Sequence, residues 1–353
     1  MITGSKYAPS NVLRHALGYV IAALCLIWVF HGIHGETLAR QMKAIRWEWV
    51  AAAVAFDILS YGWQGLRWRL LLHPVTRLPI LRATQAVYIG LLTNEIVPLR
   101  AGELVRAYFV SRRQGVPLVS VIPSVAVERL FDGLWLAVGI ALTAMFVELP
   151  ADLLKAADIF GVVILAAAGL FICFVARKSR AAEGPPQAAP GGRGFVRRLS
   201  SFIGTLAAGI REIGTSRYFY LSLFTSPLVI VCQIAAFWLV MKGYGLDPSP
   251  WMAAAVFIVM YFGTALPNAP SNVGTYQFFT VLGLTLFGVD KTTATGFSVA
   301  VFVILTAALW IVGLFSLASA GMSFGDIRKD IETLFRGTRE TDAPASREER
   351  PGA

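Results

Sequence analysis

Long unbroken runs of apolar residues constrain this chain more than any other feature. A helix rises about 1.5 Å per residue and the hydrocarbon core of a bilayer is about 30 Å thick, so about 20 mostly apolar residues make one crossing. Leu13–Phe30, Trp49–Leu66, Val119–Val147, Ala156–Ala176, Tyr218–Met241 and Thr292–Ala320 each meet that test. Hydrophobic residues make up 56% of the 353 and charged residues 15%, and mean hydropathy is +0.64. A soluble domain carries about 25% charge. The reading is therefore an all-α, multi-span integral membrane protein, and a soluble enzyme is excluded. Leu13–Phe30 follows Lys6 and Arg14 as a signal-peptide core does, but residues 31–40 offer no small-x-small cleavage site. It reads as a retained first span.

The net charge of +10 would suggest nucleic acid in a soluble protein. Here the bases sit in the connections between apolar runs, which points to membrane orientation and anionic headgroups, with no nucleic-acid partner. Cys25, Cys173 and Cys232 all lie inside apolar runs, as small buried hydrophobes do, and no metal site is expected.

Two apolar stretches are broken by Pro and Gly. Residues 83–97 run into PLRAGE and on to Arg113; residues 253–266 run into PNAPSNVG and on to Phe287. Broken backbone at membrane depth survives only where protein or a water-filled cavity satisfies it, so both read as re-entrant hairpins or discontinuous helices. Charge supports this. Residues 67–82 hold four arginines and no acid, 100–113 four arginines and one acid, and 177–217 eight bases and two acids; 148–158 hold three acids and one base. If 83–113 enters and leaves on one side, every basic segment falls in the cytoplasm. The expectation is six full crossings, two hairpins entering from opposite faces, and both termini cytoplasmic in a bacterial inner membrane. Pro98-x-x-x-Gly102 matches Pro270-x-x-x-Gly274, and Gly115-Val116 matches Gly288-Val289. Three crossings lie between the copies, so the repeat would be inverted, a recurrent transporter architecture.

Within the membrane domain 1–325, residues 178–194 read as a flexible linker. Residues 195–215 place apolar side chains at spacings of three and four, either an amphipathic helix on the cytoplasmic membrane face or a cap packed on the bundle. The tail 326–353 has six bases, seven acids and no sustained apolar run, a composition expected to be disordered.

Glu128, Arg129 and Asp132 lie inside a span. Charge at the bilayer centre costs at least about 2.5–3.5 kcal/mol, so such groups pair and face the protein interior. They read either as a headgroup site, Arg129 holding an anion while the carboxylates orient it or relay protons, or as a self-neutralising cluster. The first break adds Asn94, Glu95, Arg100, Gly102, Glu103 and Arg106, with helix N–H groups at Gly102 and guanidinium forks suited to phosphate; topological anchoring is the alternative for Arg106. The second break offers the uncharged Asn268, Pro270, Ser271, Asn272, Gly274, Thr275, Tyr276 and Gln277. Asp57 lies in the second span and either serves function or bonds a helix neighbour. Walker A, H-E-x-x-H and G-x-S-x-G motifs are absent.

QGLRWRLLL, NEIVPLRAGELVRAYFVSRRQGV, ERLFDGL and PNAPSNVGTYQ, in that order, resemble the flippase-like transmembrane family, which includes the transmembrane region of lysylphosphatidylglycerol synthases. The resemblance covers residues 13–320. It implies movement of a headgroup-modified lipid across the bilayer. The family pattern at the second break is P-x-P-G-G-x-G followed by an acid, and here Gln277 stands in the acid's place. The soluble synthase domain is not in this sequence, so synthase activity is not carried over.

The expected function is translocation of an anionic or headgroup-modified membrane lipid, without enzymatic activity or cofactor. The alternative is a non-transporting scaffold for a lipid- or glycan-modifying enzyme. A third reading makes Glu128 and Asp132 the acid and base of an intramembrane enzyme.

Overall fold

The computed structural model describes residues 9–97, 101–148, 151–176, 194–265 and 269–326. Pro98, Arg100, Asn268, residues 178–193 of the expected linker and all but the first residue of the expected tail lie outside them. Every regular element among the described residues is helical: α1 (Pro9–Phe30), α2 (Gly35–Lys43), α3 (Trp47–Leu72), α4 (Ile80–Ile96), α5 (Gly102–Gln114), α6 (Leu118–Ala144), α7 (Ala151–Ala176), α8 (Gly194–Thr215), α9 (Arg217–Gly243), α10 (Pro250–Ala265), a single 3₁₀ turn (Pro270–Asn272), α11 (Thr275–Leu286) and α12 (Lys291–Ser319).

Among the described residues, three helices are long and apolar enough to cross a bilayer by length and composition: Ala157–Ala176, Arg217–Gly243 and Lys291–Ser319. The end of α1 and α2, bent by 92°, pass as a pair. Helices α3 and α6 have the length, 26 and 27 residues. They fall short on apolarity because α3 carries Asp57, Arg67 and Arg69 and α6 carries Glu128, Arg129 and Asp132.

Each broken stretch folds as a helical hairpin whose halves pack on each other. In the first, Gly90 of α4 lies against Gly102 and Arg106 of α5, and the Gly102 N–H donates to Asn94 Oδ1 at 2.8 Å. In the second, Gly263 and Gly283 face Phe279 and Val256. Both patterns run antiparallel. A Cβ on Gly102 would overlap the Gly90 carbonyl oxygen, so a side chain there would pry the hairpin open. Gly274 has φ +88°, and a Cβ on it would meet the backbone of Ala22 in α1. The glycines matched in the sequence thus hold equivalent places: Gly102 and Gly274 at the start of the second half, Gly115 (φ 65°) and Gly288 (φ 78°) just past its end.

The order long helix–hairpin–long helix occurs twice, as α3 to α6 and as α9 to α12. The leading long helices α3 and α9 pack antiparallel along their lengths: the Arg46 N–H donates to the Gly243 carbonyl at 2.9 Å, and Ser222 Oγ donates to the Arg67 carbonyl at 3.3 Å. The largest apolar core joins α9, α10, α11 and α12 around Phe237, Phe257, Val281 and Phe297. A second joins α3, α4, α5 and α6 around Trp68, Ile89, Phe109 and Val121. Helix α8 packs against α6 with Gly209 pressed on Pro123, and Ile213 is fully buried with Leu71, Val127 and Phe131.

Candidate functional site

The two hairpin tips meet. Ser271 Oγ donates to the Glu95 carbonyl at 3.0 Å, and between the tips opens a cavity of about 460 Å³. Its walls come from the middle of four long helices, α3, α6, α9 and α12, and from the ends of α4, α5, α10 and α11. Ligand-sized pockets run from about 300 to 1,000 Å³.

One wall is a chain of alternating charge. Arg106 Nη2 reaches Glu128 Oε2 at 2.5 Å; Arg67 Nη2 reaches Glu128 Oε1 at 2.6 Å; Arg67 Nη1 reaches Asp132 Oδ1 at 2.5 Å; Arg129 bridges Asp132 Oδ2 at 3.2 Å and Glu103 Oε1 at 3.0 Å. Three guanidiniums and three carboxylates neutralise one another. The Glu128 side chain is 0% exposed, and such a charge is tolerable only because two arginines meet it. Gln64 Nε2 also donates to it at 3.3 Å. Arg106 lies over the Trp68 ring at 4.7 Å, and Trp68 Nε1 donates to Ser124 Oγ at 3.0 Å. The chain changes character along its length: Arg106 and Glu128 are packed in protein, whereas the Arg129 side chain is 43% exposed and faces the cavity.

Of the residues expected from sequence, Asn94, Glu103, Arg129, Asp132, Pro270 and Asn272 line the cavity. Glu128 and Arg106 stand behind it as the buried anchor. Arg129 pairs with Asp132 as their spacing suggested, but Glu128 pairs with neither of them. The Gly102 N–H, expected to be open to phosphate, is held by Asn94. Gly274 N–H is likewise held by Gln277 Oε1 at 2.7 Å. These two amides close the tips. Arg100 and Asn268 fall outside the described residues.

The central missed residue is Arg67, which had been counted with the arginines that follow the span. Helix α3 continues to Leu72, and Asp57, Tyr61, Gln64 and Arg67, spaced four, three and three apart, form one polar face on the cavity. That periodicity was available in the sequence. Ser271 and Asn272 have φ of 58° and 54°. Serine rarely adopts this left-handed conformation, and such strain concentrates at ligand clamps and switches.

A smaller chamber continues from the cavity between α6, α9 and α10, sharing Arg67, Asp132, Gln233 and Tyr261 and adding Trp135, Leu136 and Ile230. Trp135 Nε1 donates to the Leu223 carbonyl at 3.0 Å and ties α6 to α9 there.

A family model described as the lysylphosphatidylglycerol synthase TM region matches residues 15–313, which include both hairpins and the whole cavity. A glycosyltransferase AglD of Haloferax volcanii is 26% identical over 310 residues, which cover 78% of this chain and 49% of that protein. The chain spans about half the length of this curated relative.

Proposed function

The chain belongs to the lysylphosphatidylglycerol synthase TM region family, and we propose that it is a lipid translocase of the bacterial inner membrane, with both termini cytoplasmic, rather than an enzyme. The observation that carries this reading is the charged cavity at mid-length of four long helices, closed on two sides by hairpin tips. A polar headgroup needs a polar chamber at the bilayer centre and apolar surface beside it for acyl chains. Arg129 offers a cation to the headgroup phosphate, and the small chamber of about 30 Å³ beside it sets Trp135, Leu136 and Ile230 between α6, α9 and α10, where an acyl chain would enter if the helices part. The antiparallel α3–α9 pair, each followed by a hairpin and a span, supports six crossings and an inverted repeat. Glu128, locked by two guanidiniums, is poorly suited to acid–base chemistry.

The test is reconstitution in vesicles with fluorescent-headgroup phosphatidylglycerol and a membrane-impermeant quencher. The wild type is expected to expose inner-leaflet probe, and Arg129→Ala to slow this about tenfold, equivalent to ~1.4 kcal/mol. A wild-type rate equal to that of empty vesicles overturns the reading.

A second reading is favoured by one observation: the relative that extends to twice this length bears the name of a glycosyltransferase. In that reading the bundle is the membrane partner of a lipid- or glycan-modifying enzyme. It predicts co-purification with such an enzyme and tolerance of Arg129→Ala in cells.

A further inference from the structure

Asp57 stands apart from the arginine chain. It lies on α3 and is 4% exposed. It lines the cavity, and its Oδ2 has no hydrogen-bond partner. Tyrosines from three elements lie within electrostatic reach of it: Tyr61 on α3 itself, Tyr88 on α4 and Tyr276 on α11. Glu95, at the end of α4, also lines the cavity; it accepts hydrogen bonds from Ser271 and Trp310, while its Oε2 has no hydrogen-bond partner. Arg67, the cation nearest along α3, spends both terminal nitrogens on Glu128 and Asp132.

Charge counting sharpens the contrast. Around the cavity the described residues supply the carboxylates Asp57, Glu95, Glu103, Glu128 and Asp132 against the guanidiniums of Arg67, Arg106 and Arg129. The six-membered chain is neutral. Among the described residues, Asp57 and Glu95 are the two acids of the cavity without a guanidinium partner; Glu95 is met by Ser271 and Trp310 instead. A buried charge without a counter-charge is costly, and proteins meet the cost with a bound partner.

We infer that Asp57 and Glu95 form a subsite for a small monovalent cation, a proton or an alkali ion, separate from the arginine chain. Burial argues for a small ion: Asp57 is 4% exposed, which leaves little of it open to a hydrated headgroup ammonium. Donor chemistry decides against a divalent metal, since no group of three His, Cys, Asp or Glu side chains suited to one occurs among the described residues. The consequence for transport rests on the function proposed above: cation loading beside the headgroup chamber gives lipid movement an ion gradient to draw on.

The experiment uses the full chain in nanodiscs and infrared difference spectroscopy of the carboxyl bands, titrated with pH at fixed choline chloride and with NaCl or KCl at fixed pH. A carboxyl band that responds to pH alone identifies a proton; one that responds to alkali salt identifies the ion. In either case Asp57→Asn is expected to abolish it, Asp57→Glu to keep it with a displaced midpoint, and Glu95→Gln to displace it. A folded Asp57→Asn protein with unchanged bands overturns the assignment. If Asp57→Asn does not fold, wild-type and Asp57→Glu bands that coincide overturn it. Displacement by ethanolamine and not by alkali ions or protons overturns the small-cation assignment. The vesicle assay, run with imposed proton or sodium gradients, fails separately. Carboxyl bands that respond without lipid movement leave the subsite standing and sink the transport reading; lipid movement without any Asp57-dependent band does the reverse.

Discussion

The two hairpins share one construction and differ in chemistry. In each, a side-chain amide accepts the N–H of a glycine at the tip: Asn94 for Gly102 and Gln277 for Gly274. In each, a left-handed glycine ends the returning helix. Yet the first hairpin brings Glu103 and Arg106 into a buried ionic chain, while the second presents uncharged Ser271, Asn272 and Tyr276. The first tip is bound to the bundle by charge pairing with α6. The second is bound by apolar packing and carries its strain in the backbone at Ser271 and Asn272. Tip geometry is thus separable from ligand chemistry, and the comparison can be broken in order of expected effect.

Removing the buried anion is the severest cut. Glu128→Gln leaves the buried Arg106 without a counter-charge and Arg67 with Asp132 alone, and a loss of about 3–5 kcal/mol is expected, read as a large drop in melting temperature in detergent. An unchanged melting temperature would mean the ionic chain does not hold the first hairpin. Next come the tip glycines. Gly102→Ala and Gly274→Ala each press a methyl into backbone, at Gly90 and Ala22 respectively, with about 1–3 kcal/mol expected for each. A loss at one position only would show that the tips are not built alike.

Cutting the tip amides tests the shared feature most directly. Asn94→Ala and Gln277→Ala each free a glycine N–H, with about 1 kcal/mol expected from lost capping. At Arg129 stability and transport should separate. Its side chain is 43% exposed, so Arg129→Ala should cost under about 1 kcal/mol of stability while slowing lipid movement. A variant that unfolds instead makes Arg129 part of the anchor.

The smallest effect lies where the hairpins lead out. Helix α6 follows Pro117 with no side-chain cap. Helix α12 starts at Asp290, whose Oδ1 accepts from the N–H groups of Thr292 at 2.8 Å and Thr293 at 3.2 Å. The Thr293 hydroxyl, with these backbone N–H groups, holds the Asp290 carboxyl below its ordinary value. A depressed carboxyl stabilises the fold above the unfolded-state value of about 4 and loses that contribution as pH falls through the folded one. Melting curves of wild type and Asp290→Asn, separated by about 1 kcal/mol or less at neutral pH, should therefore converge in acid. Curves that stay parallel would dismiss this cap.

The sequence alone determined the helical class, the places of the two breaks and the glycines that make them. Those features are local: an apolar run reports burial, and a glycine beside a proline reports a turn. Helical spacing also gave the Arg129–Asp132 pair, because residues three apart share a face. Only the tertiary structure decided who neutralises Glu128. Its partners Arg67 and Arg106 sit on α3 and α5, and periodicity names the face a residue occupies, not the helix that face will meet. The same reasoning shows Asn94 and Gln277 closing the tips on Gly102 and Gly274 and leaves Asp57 and Glu95, among the described residues, as the acids of the cavity without a guanidinium. Charge balance inside a bundle belongs to the set of helices that crosses there, and no single stretch of chain holds it.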